Sequence, residues 1–159
     1  MSNIRLNWVA ILVAAIASFI FEALWFSVFM NEWLAGIGHT REWLTTATGV
    51  TPAVQYAVAI LCSVIAAAVL SICIQASGEQ TARRGIVCAA VIWFGFIATS
   101  WAKACIFEVR TFQIFAIYTG YYLIDLMLMG VIVGAWKKKP ELPAHKFSAD
   151  GASRHLGCE

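Results

Sequence analysis

The chain has 159 residues, of which 61% are hydrophobic and only 13% charged, and its mean hydropathy is +0.78. This composition lies outside the usual range of water-soluble domains of this length and indicates a single compact membrane domain. The net charge of +2 and the scattered basic residues exclude a nucleic-acid-binding protein.

The first apolar run, from Trp8 to Met30, is long enough to cross a hydrocarbon core, which takes roughly 20 helical residues. A cleaved signal peptide is the alternative, because Arg5 precedes the run and Ala15-Ile16-Ala17 resembles a cleavage site. The apolar character continues well past that point. We therefore predict a retained transmembrane helix.

The connection to the second run, from Asn31 to Pro52, is longer than the usual link between bundle helices. It is therefore predicted to contain structure, with Gly36 and Gly38 breaking the segment. Its apolar side chains would lie on the outer membrane surface or cap the bundle; they are Trp33, Leu34, Ile37, Trp43 and Leu44. A lid over a functional site is the alternative.

Three more apolar runs follow. The second begins after Thr51-Pro52, where Thr can cap a helix start and Pro suits the first turn. The fold class is thus predicted to be all-α, a polytopic four-transmembrane-helix bundle with a structured outer loop between helices 1 and 2. The predicted spans cover about 8–30, 53–76, 85–105 and 113–136, and residues 137–159 are expected to form a mobile cytoplasmic tail.

The orientation follows from the basic residues of the loops. One side of the membrane would hold eight of them, namely Arg5, Arg83, Arg84, Lys137, Lys138, Lys139, Lys146 and Arg154, and the other three, namely Arg41, Lys103 and Arg110. By the positive-inside rule, both termini are cytoplasmic. We expect a multi-pass protein of the bacterial inner membrane, with the lipid bilayer as its surroundings.

Three ionisable residues lie within or close to the hydrocarbon zone: Glu22, Lys103 and Asp125. A charge in lipid is costly unless it is paired, hydrated or protonated, so these residues are the best functional candidates. A helix rise of about 1.5 Å per residue places all three toward the outer half. If their helices face one another, Lys103 could extend its flexible side chain toward a carboxylate. Alternatively, it could reach the nearby interface.

Helical spacing adds neighbours to these residues, because positions three, four and seven apart share a face. Trp25 accompanies Glu22, and Tyr121 and Tyr122 accompany Asp125. The candidate polar intramembrane site therefore comprises Glu22, Lys103, Asp125, Trp25, Tyr121 and Tyr122. Such a lining suits a small polar or cationic ligand, or a protonatable site. The alternative is that these groups only hold the helices together.

Catalytic, cofactor and metal motifs are absent. The five cysteines are mostly in apolar runs and the three histidines have no metal-ligand spacing, so no cofactor or metal is predicted. Gly130 and Gly134 have the small-xxx-small spacing that lets helices approach closely. For this pair, internal packing is favoured over a dedicated dimer face.

Several segments resemble the bacterial membrane-protein family catalogued as domain of unknown function 1761. Asn7-Trp8 resembles its Asn-Trp opening, Leu24-Trp25-Phe26-Ser27 its Gly-x-x-Trp-Tyr-Ser signature, and Trp93-Phe94-Gly95-Phe96 its Trp-x-Gly-Phe segment. The segments beginning at Phe107, Tyr121 and Met129 continue the similarity in order. The resemblance implies four spans and no established reaction. Glu22 departs from it, standing where the pattern usually has Gly, as does Phe26, which replaces Tyr.

Three hypotheses of function remain. The first is a non-catalytic helix-packing protein that acts as a homo-oligomer or as an accessory subunit of a membrane complex. The second is a proton- or cation-linked small-molecule transporter that uses Glu22 and Asp125. A third, a membrane enzyme acting on a lipid or quinone-like substrate, depends only on aromatic side chains near polar groups, and an enzyme is the less favoured class.

Overall fold

A computed structural model describes residues 4–46 and 51–137. Within these ranges it has no strand, and its helical elements are α1 (Trp8–Val28), α2 (Met30–Ile37), α3 (Arg41–Thr46), α4 (Pro52–Ala76), α5 (Ala82–Ile92), a π-helical segment (Trp93–Ala98), α6 (Thr99–Phe107) and α7 (Phe112–Ala135). Four stretches are long and apolar enough to cross a membrane: α1, α4, the run from α5 to α6, and α7. The predicted all-α, four-span fold class is confirmed. The predicted tail, apart from Lys137, lies outside the described residues.

Polar side chains cap three of the four described helices that begin a membrane span. The side chain of Asn7 accepts a hydrogen bond from the backbone N–H of Ala10 at the start of α1. Thr81 and Thr111 cap α5 and α7 in the same way. Thr51 precedes α4 and Pro52 occupies its first turn, but the Thr51 side chain makes no capping hydrogen bond. The expected cap at Thr51 is therefore wrong, although the helix starts where predicted.

Helix α7 lies at the centre of the bundle. It packs against α1, α4 and α5, and α4 in turn contacts both α1 and α5. In the most apolar stretch of each span, 44% of α7 is buried, against 17% of the span that runs from α5 through α6. The third span therefore presents most of its surface to the bilayer, and α7 is the element most able to hold a protected polar group.

Glycines bring α5 and α7 into close contact. A Cβ atom on Gly130 would lie 2.6 Å from the backbone oxygen of Gly85, and one on Gly134 would lie 2.5 Å from that of Thr81. Side chains at either position would force the two backbones apart. The Gly130 and Gly134 spacing is therefore used inside the chain, which confirms the favoured interpretation of this motif.

The start of α1 and the ends of α4 and α7 meet at one end of the bundle, called here the terminal end. Asn7 donates a side-chain hydrogen bond to the backbone oxygen of Trp136 over 3.3 Å. The backbone N–H of Arg5 donates to Gln75 Oε1 over 3.0 Å. Helices α2 and α3 connect the other ends of α1 and α4, called here the loop end. Which end faces the cytoplasm stays a prediction.

Helix α2 covers the loop end by packing against α7. Leu34 is buried there, and Trp33 Nε1 donates a hydrogen bond to the hydroxyl of Tyr118 over 2.9 Å. Gly38 ends α2 with a left-handed φ of 74°. Gly36 does not break the segment, contrary to prediction, because it lies inside α2, where a Cβ atom would clash with Ile114. Of the two placements expected for this connection, α2 adopts the one that caps the bundle.

The third span is not a continuous α-helix. Its middle, from Trp93 to Ala98, is π-helical, a feature that apolar length and spacing do not reveal. Trp93 Nε1 donates a hydrogen bond to the backbone oxygen of Thr119 on α7 over 2.8 Å. Isolated π-helical turns shift the helical phase of the residues that follow them. Helix α6 is therefore rotated relative to α5.

Candidate functional site

The two membrane carboxylates converge between α1 and α7. Asp125 on α7 is only 3% exposed, while Glu22 on α1 is half-buried, and α1 packs against α7. Tyr121, one helical turn before Asp125, lines the same cavity as Glu22 and stacks on Phe21, the residue before it. The structure thus brings together three of the residues that helical spacing selected.

Ser18 on α1, one turn before Glu22, is fully buried. Its Oγ lies 3.2 Å from Oγ of Ser63 on α4. One carboxylate oxygen of Asp125, Oδ1, is buried and has no hydrogen-bond partner among the described residues. Asp125 is therefore enclosed by protein on an incomplete set of polar contacts.

Glu22 borders a cavity of about 440 Å³. The cavity is walled mainly by aromatic rings, and its lining residues are Glu22, Phe26, Met30, Trp33, Gln55, Tyr56, Tyr118, Tyr121 and Tyr122. None of these described lining residues is a lysine, arginine or histidine. Asp125 does not line the cavity, whereas Tyr121, one helical turn before it, does. The cavity therefore has one acidic group at its surface, and the second carboxylate is buried one turn from a lining residue.

Ring contacts fix the aromatic walls. Tyr121 stacks on Phe21 with centroids 6.0 Å apart and contacts Tyr122 at 4.9 Å. Tyr118 stacks on Trp101 of α6 at 4.2 Å while accepting the hydrogen bond from Trp33. Aromatic faces carry partial negative charge and attract cations. The walls and the carboxylate of Glu22 therefore favour the same kind of ligand, an organic cation.

Lys103 is not part of this site. Its side chain is exposed on α6, and the only ion pair within the described ranges joins Glu108 and Arg110. The expectation that Lys103 could extend toward a carboxylate is therefore wrong. The reason is its direction, since Cys105 is the buried residue of α6 and positions two apart on a helix point about 200° apart.

Trp25 and Tyr122, the two remaining predicted site residues, differ in their relation to the cavity. Tyr122 lines the cavity, whereas Trp25 packs over Gly120 of α7, where a Cβ atom would lie 3.5 Å from its ring. The indole nitrogen of Trp25 is buried without a hydrogen-bond partner among the described residues. Trp25 is thus a neighbour of the site and does not line the cavity.

The sequence did not single out the residues that α4 contributes to the site. Gln55 and Tyr56 line the cavity, and Ser63 contacts Ser18. A depth estimate could have found the first two, because they lie one turn inside the start of α4, opposite Glu22 near the end of α1. Nothing in the sequence distinguishes Ser63 from the other small polar residues of this span.

Residues 9–134 match the protein family described as "Protein of unknown function (DUF1761)". The chain belongs to this family. The resemblance seen in the sequence is confirmed over most of the chain, and Trp93 to Phe96, one of the segments that carried it, falls within the π-helical segment. No curated protein and no solved structure matches the chain. The family carries no stated activity, so any functional argument depends on the site.

Proposed function

We propose that the protein is a proton- or cation-linked transporter that binds small organic cations in the cavity beside Glu22, with Asp125 as a second acidic group. One observation supports this most directly. The cavity combines a carboxylate with aromatic walls and has no cationic side chain among its described lining residues. Its volume of about 440 Å³ falls in the range of small-molecule sites, roughly 300–1,000 Å³.

The linkage to protons follows from the position of Glu22. A carboxylate at membrane depth is stabilised by a nearby cation or by taking up a proton. Lys103 does not supply the cation, so a bound organic cation and a proton would compete for the same group. Such competition is the minimum that an exchanger needs, because loading one species favours release of the other.

The association hypothesis has less support than the sequence suggested. Gly130 and Gly134, the small-xxx-small pair, are occupied by the contact with α5. The aromatic side chains exposed on the third span, such as Phe94 and Phe96, would contact lipid in a bilayer and need no protein partner. No observation specifically favours the enzyme hypothesis. We expect the protein in the bacterial inner membrane with both termini in the cytoplasm, as the loop charges predict.

Binding of tetraphenylphosphonium to the purified protein in nanodiscs tests the proposal. We expect Glu22→Gln to weaken binding about 10-fold or more, equivalent to about 1.4 kcal/mol. Glu32→Gln is the matched control, because Glu32 is exposed on α2 and does not line the cavity. Raising the pH should strengthen wild-type binding, since fewer protons then compete. Equal affinity of the wild type and Glu22→Gln would refute the proposal.

The proposal applies to this chain and is not extended to its family. The resemblance places Gly where this sequence has Glu22, so relatives with Gly would lack the carboxylate at the cavity surface. Their cavities would then bind cations through aromatic faces alone.

A further inference from the structure

We propose that the turn between α6 and α7 forms a second binding site, for a phospholipid whose headgroup carries both a phosphate and an ammonium group. The site consists of an apolar cavity and a polar cavity, which share Val109 and Arg110 in their linings. None of their described lining residues belongs to the cavity beside Glu22. The inference therefore does not depend on the proposed function.

The turn lies at the edge of the bilayer, because it joins two membrane spans. Helix α6 ends at Phe107 and α7 begins at Phe112, and both belong to spans that are long and apolar. Several large apolar side chains of the turn are at least 76% exposed, namely Ile106, Phe107, Val109 and Phe112. In a membrane these side chains lie beside acyl chains, and the polar groups of the turn lie at the level of the headgroups.

The apolar cavity suits an acyl chain. It has a volume of about 450 Å³, and its lining residues are Ala102, Cys105, Ile106, Val109, Arg110, Phe112 and Phe115. Arg110 is the one charged residue among these described lining residues. Ile106 and Phe112 are also among the most exposed side chains of the turn, so the cavity opens toward the bilayer. An acyl chain in this cavity stays in apolar surroundings and gains dispersion contacts with the protein.

The polar cavity suits the headgroup. It has a volume of about 410 Å³, and its lining residues are Gly36, Ile37, His39, Trp43, Glu108, Val109, Arg110 and Thr111. The rings of His39 and Trp43 stack with their centroids 3.9 Å apart and form an aromatic part of its wall. An aromatic ring and a carboxylate both attract an ammonium group, and a guanidinium group binds phosphate oxygens. The lining therefore offers partners for both charges of the headgroup.

The ion pair between Glu108 and Arg110 decides the kind of headgroup. Both residues also line a smaller cavity of about 220 Å³. Val109 between them has a left-handed φ of 53°, a conformation that is rare for a β-branched residue and is often found at binding sites. A purely anionic headgroup would be attracted by Arg110 and repelled by Glu108. A headgroup with a phosphate and an ammonium group gives each member of the pair a charge of opposite sign.

Native mass spectrometry of the full chain in mild detergent tests this. Three lipids with the same two oleoyl chains are added in turn: phosphatidylethanolamine, which has both charged groups, phosphatidylglycerol, which has only the phosphate, and diacylglycerol, which has neither. We expect phosphatidylethanolamine to be retained more than the other two. Phosphoethanolamine, the headgroup without acyl chains, should not displace it at equal concentration, because it makes no contact in the apolar cavity.

Two substitutions separate the two charges. Arg110→Gln should weaken binding of phosphatidylethanolamine roughly 10-fold and remove its advantage over diacylglycerol. Glu108→Gln should remove its advantage over phosphatidylglycerol. Arg41→Gln is the matched control, because Arg41 is also an exposed arginine at the loop end but lines neither cavity. Ala102→Phe, which fills the apolar cavity, should weaken binding of all three lipids alike.

Equal retention of the three lipids by the wild type would overturn the inference, as would stronger retention of phosphatidylglycerol or displacement by phosphoethanolamine alone. A preference for phosphatidylethanolamine that survives in both Arg110→Gln and Glu108→Gln would also overturn it. Both side chains are exposed, so folded variants are expected. If either variant nevertheless unfolds, the wild type and Ala102→Phe still decide the outcome. Binding of tetraphenylphosphonium should be unchanged in all these variants, which keeps this test separate from that of the proposed function.

Discussion

Substituting Gly130 by Ala tests whether the contact between α5 and α7 organises the bundle. The new Cβ atom would lie 2.6 Å from the backbone oxygen of Gly85 and 2.8 Å from its carbonyl carbon, whereas ordinary contacts begin at 3.4 Å. Backbone atoms cannot rotate away as a side chain can. The helices would therefore have to separate by roughly 0.8 Å at this point to restore an ordinary contact.

The expected loss of stability follows from two opposing terms. Overpacking of this kind costs about 1–3 kcal/mol, and Ala gains at most about 1 kcal/mol over Gly in helix propensity. Because the clash involves backbone, we expect a net loss of about 1–2 kcal/mol and a fall in Tm of about 3–6 °C. Thermal unfolding in mild detergent, followed by tryptophan fluorescence, measures it.

Gly95 supplies the matched control for this substitution. It is exposed in the third span, and a Cβ atom there would meet no heavy atom within 4 Å. Gly95→Ala should therefore leave Tm unchanged or raise it slightly. Equal unfolding temperatures for Gly130→Ala and Gly95→Ala would show that the α5–α7 contact is looser than the structure has it, and the reasoning would be wrong.

Two further comparisons use residues of the same type. In each comparison, one side chain makes a hydrogen bond that the other lacks. Thr81→Ala removes a helix cap and should lower the stability by about 0.5–2 kcal/mol, whereas Thr51→Ala removes no capping bond and should be nearly neutral in chemical denaturation. Among the tryptophans, Trp33→Phe and Trp93→Phe each lose an indole hydrogen bond, but Trp25→Phe does not. Thermal unfolding should show the first two destabilised by about 1 kcal/mol more than the third, and three equal losses would contradict the assigned bonds.

The four spans could be predicted from the sequence because the bilayer imposes a length and a composition on any helix that crosses it. The observed helices Trp8–Val28 and Pro52–Ala76 begin within a residue of their predicted starts. Structure in the connection between them was predicted from its length. Helix α2 packs against α7 and buries Leu34. Gly36 was predicted to break the segment, but it lies inside α2 and contacts Ile114.

The candidate site was predictable only in part. Helical spacing grouped Glu22 with Trp25 and Asp125 with Tyr121 because both helices are regular over those turns. Spacing does not say how each helix is rotated toward its neighbours. That rotation is set by long-range contacts such as Gly85 against Gly130, and it decides that Glu22 and Tyr121 line the cavity while Asp125 does not. The contribution of Ser63 from α4 could not be assigned for the same reason.

The π-helical segment explains why the position of Lys103 was mispredicted. Ala89 on α5 is buried, and Lys103 follows it by 14 residues. At about 100° per residue, a continuous α-helix would direct Lys103 to within about 40° of Ala89, toward the bundle, and Cys105 about 160° away from it.

A π segment accommodates roughly one extra residue, which changes the helical phase by about 100°. Measured from Ala89, this change moves Lys103 to about 140° and Cys105 to about 60°. The burial of Cys105 and the exposure of Lys103 agree with the shifted phase. The segment from Trp93 to Ala98 thus turns a basic side chain away from the two carboxylates and leaves them available to a proton or a cation.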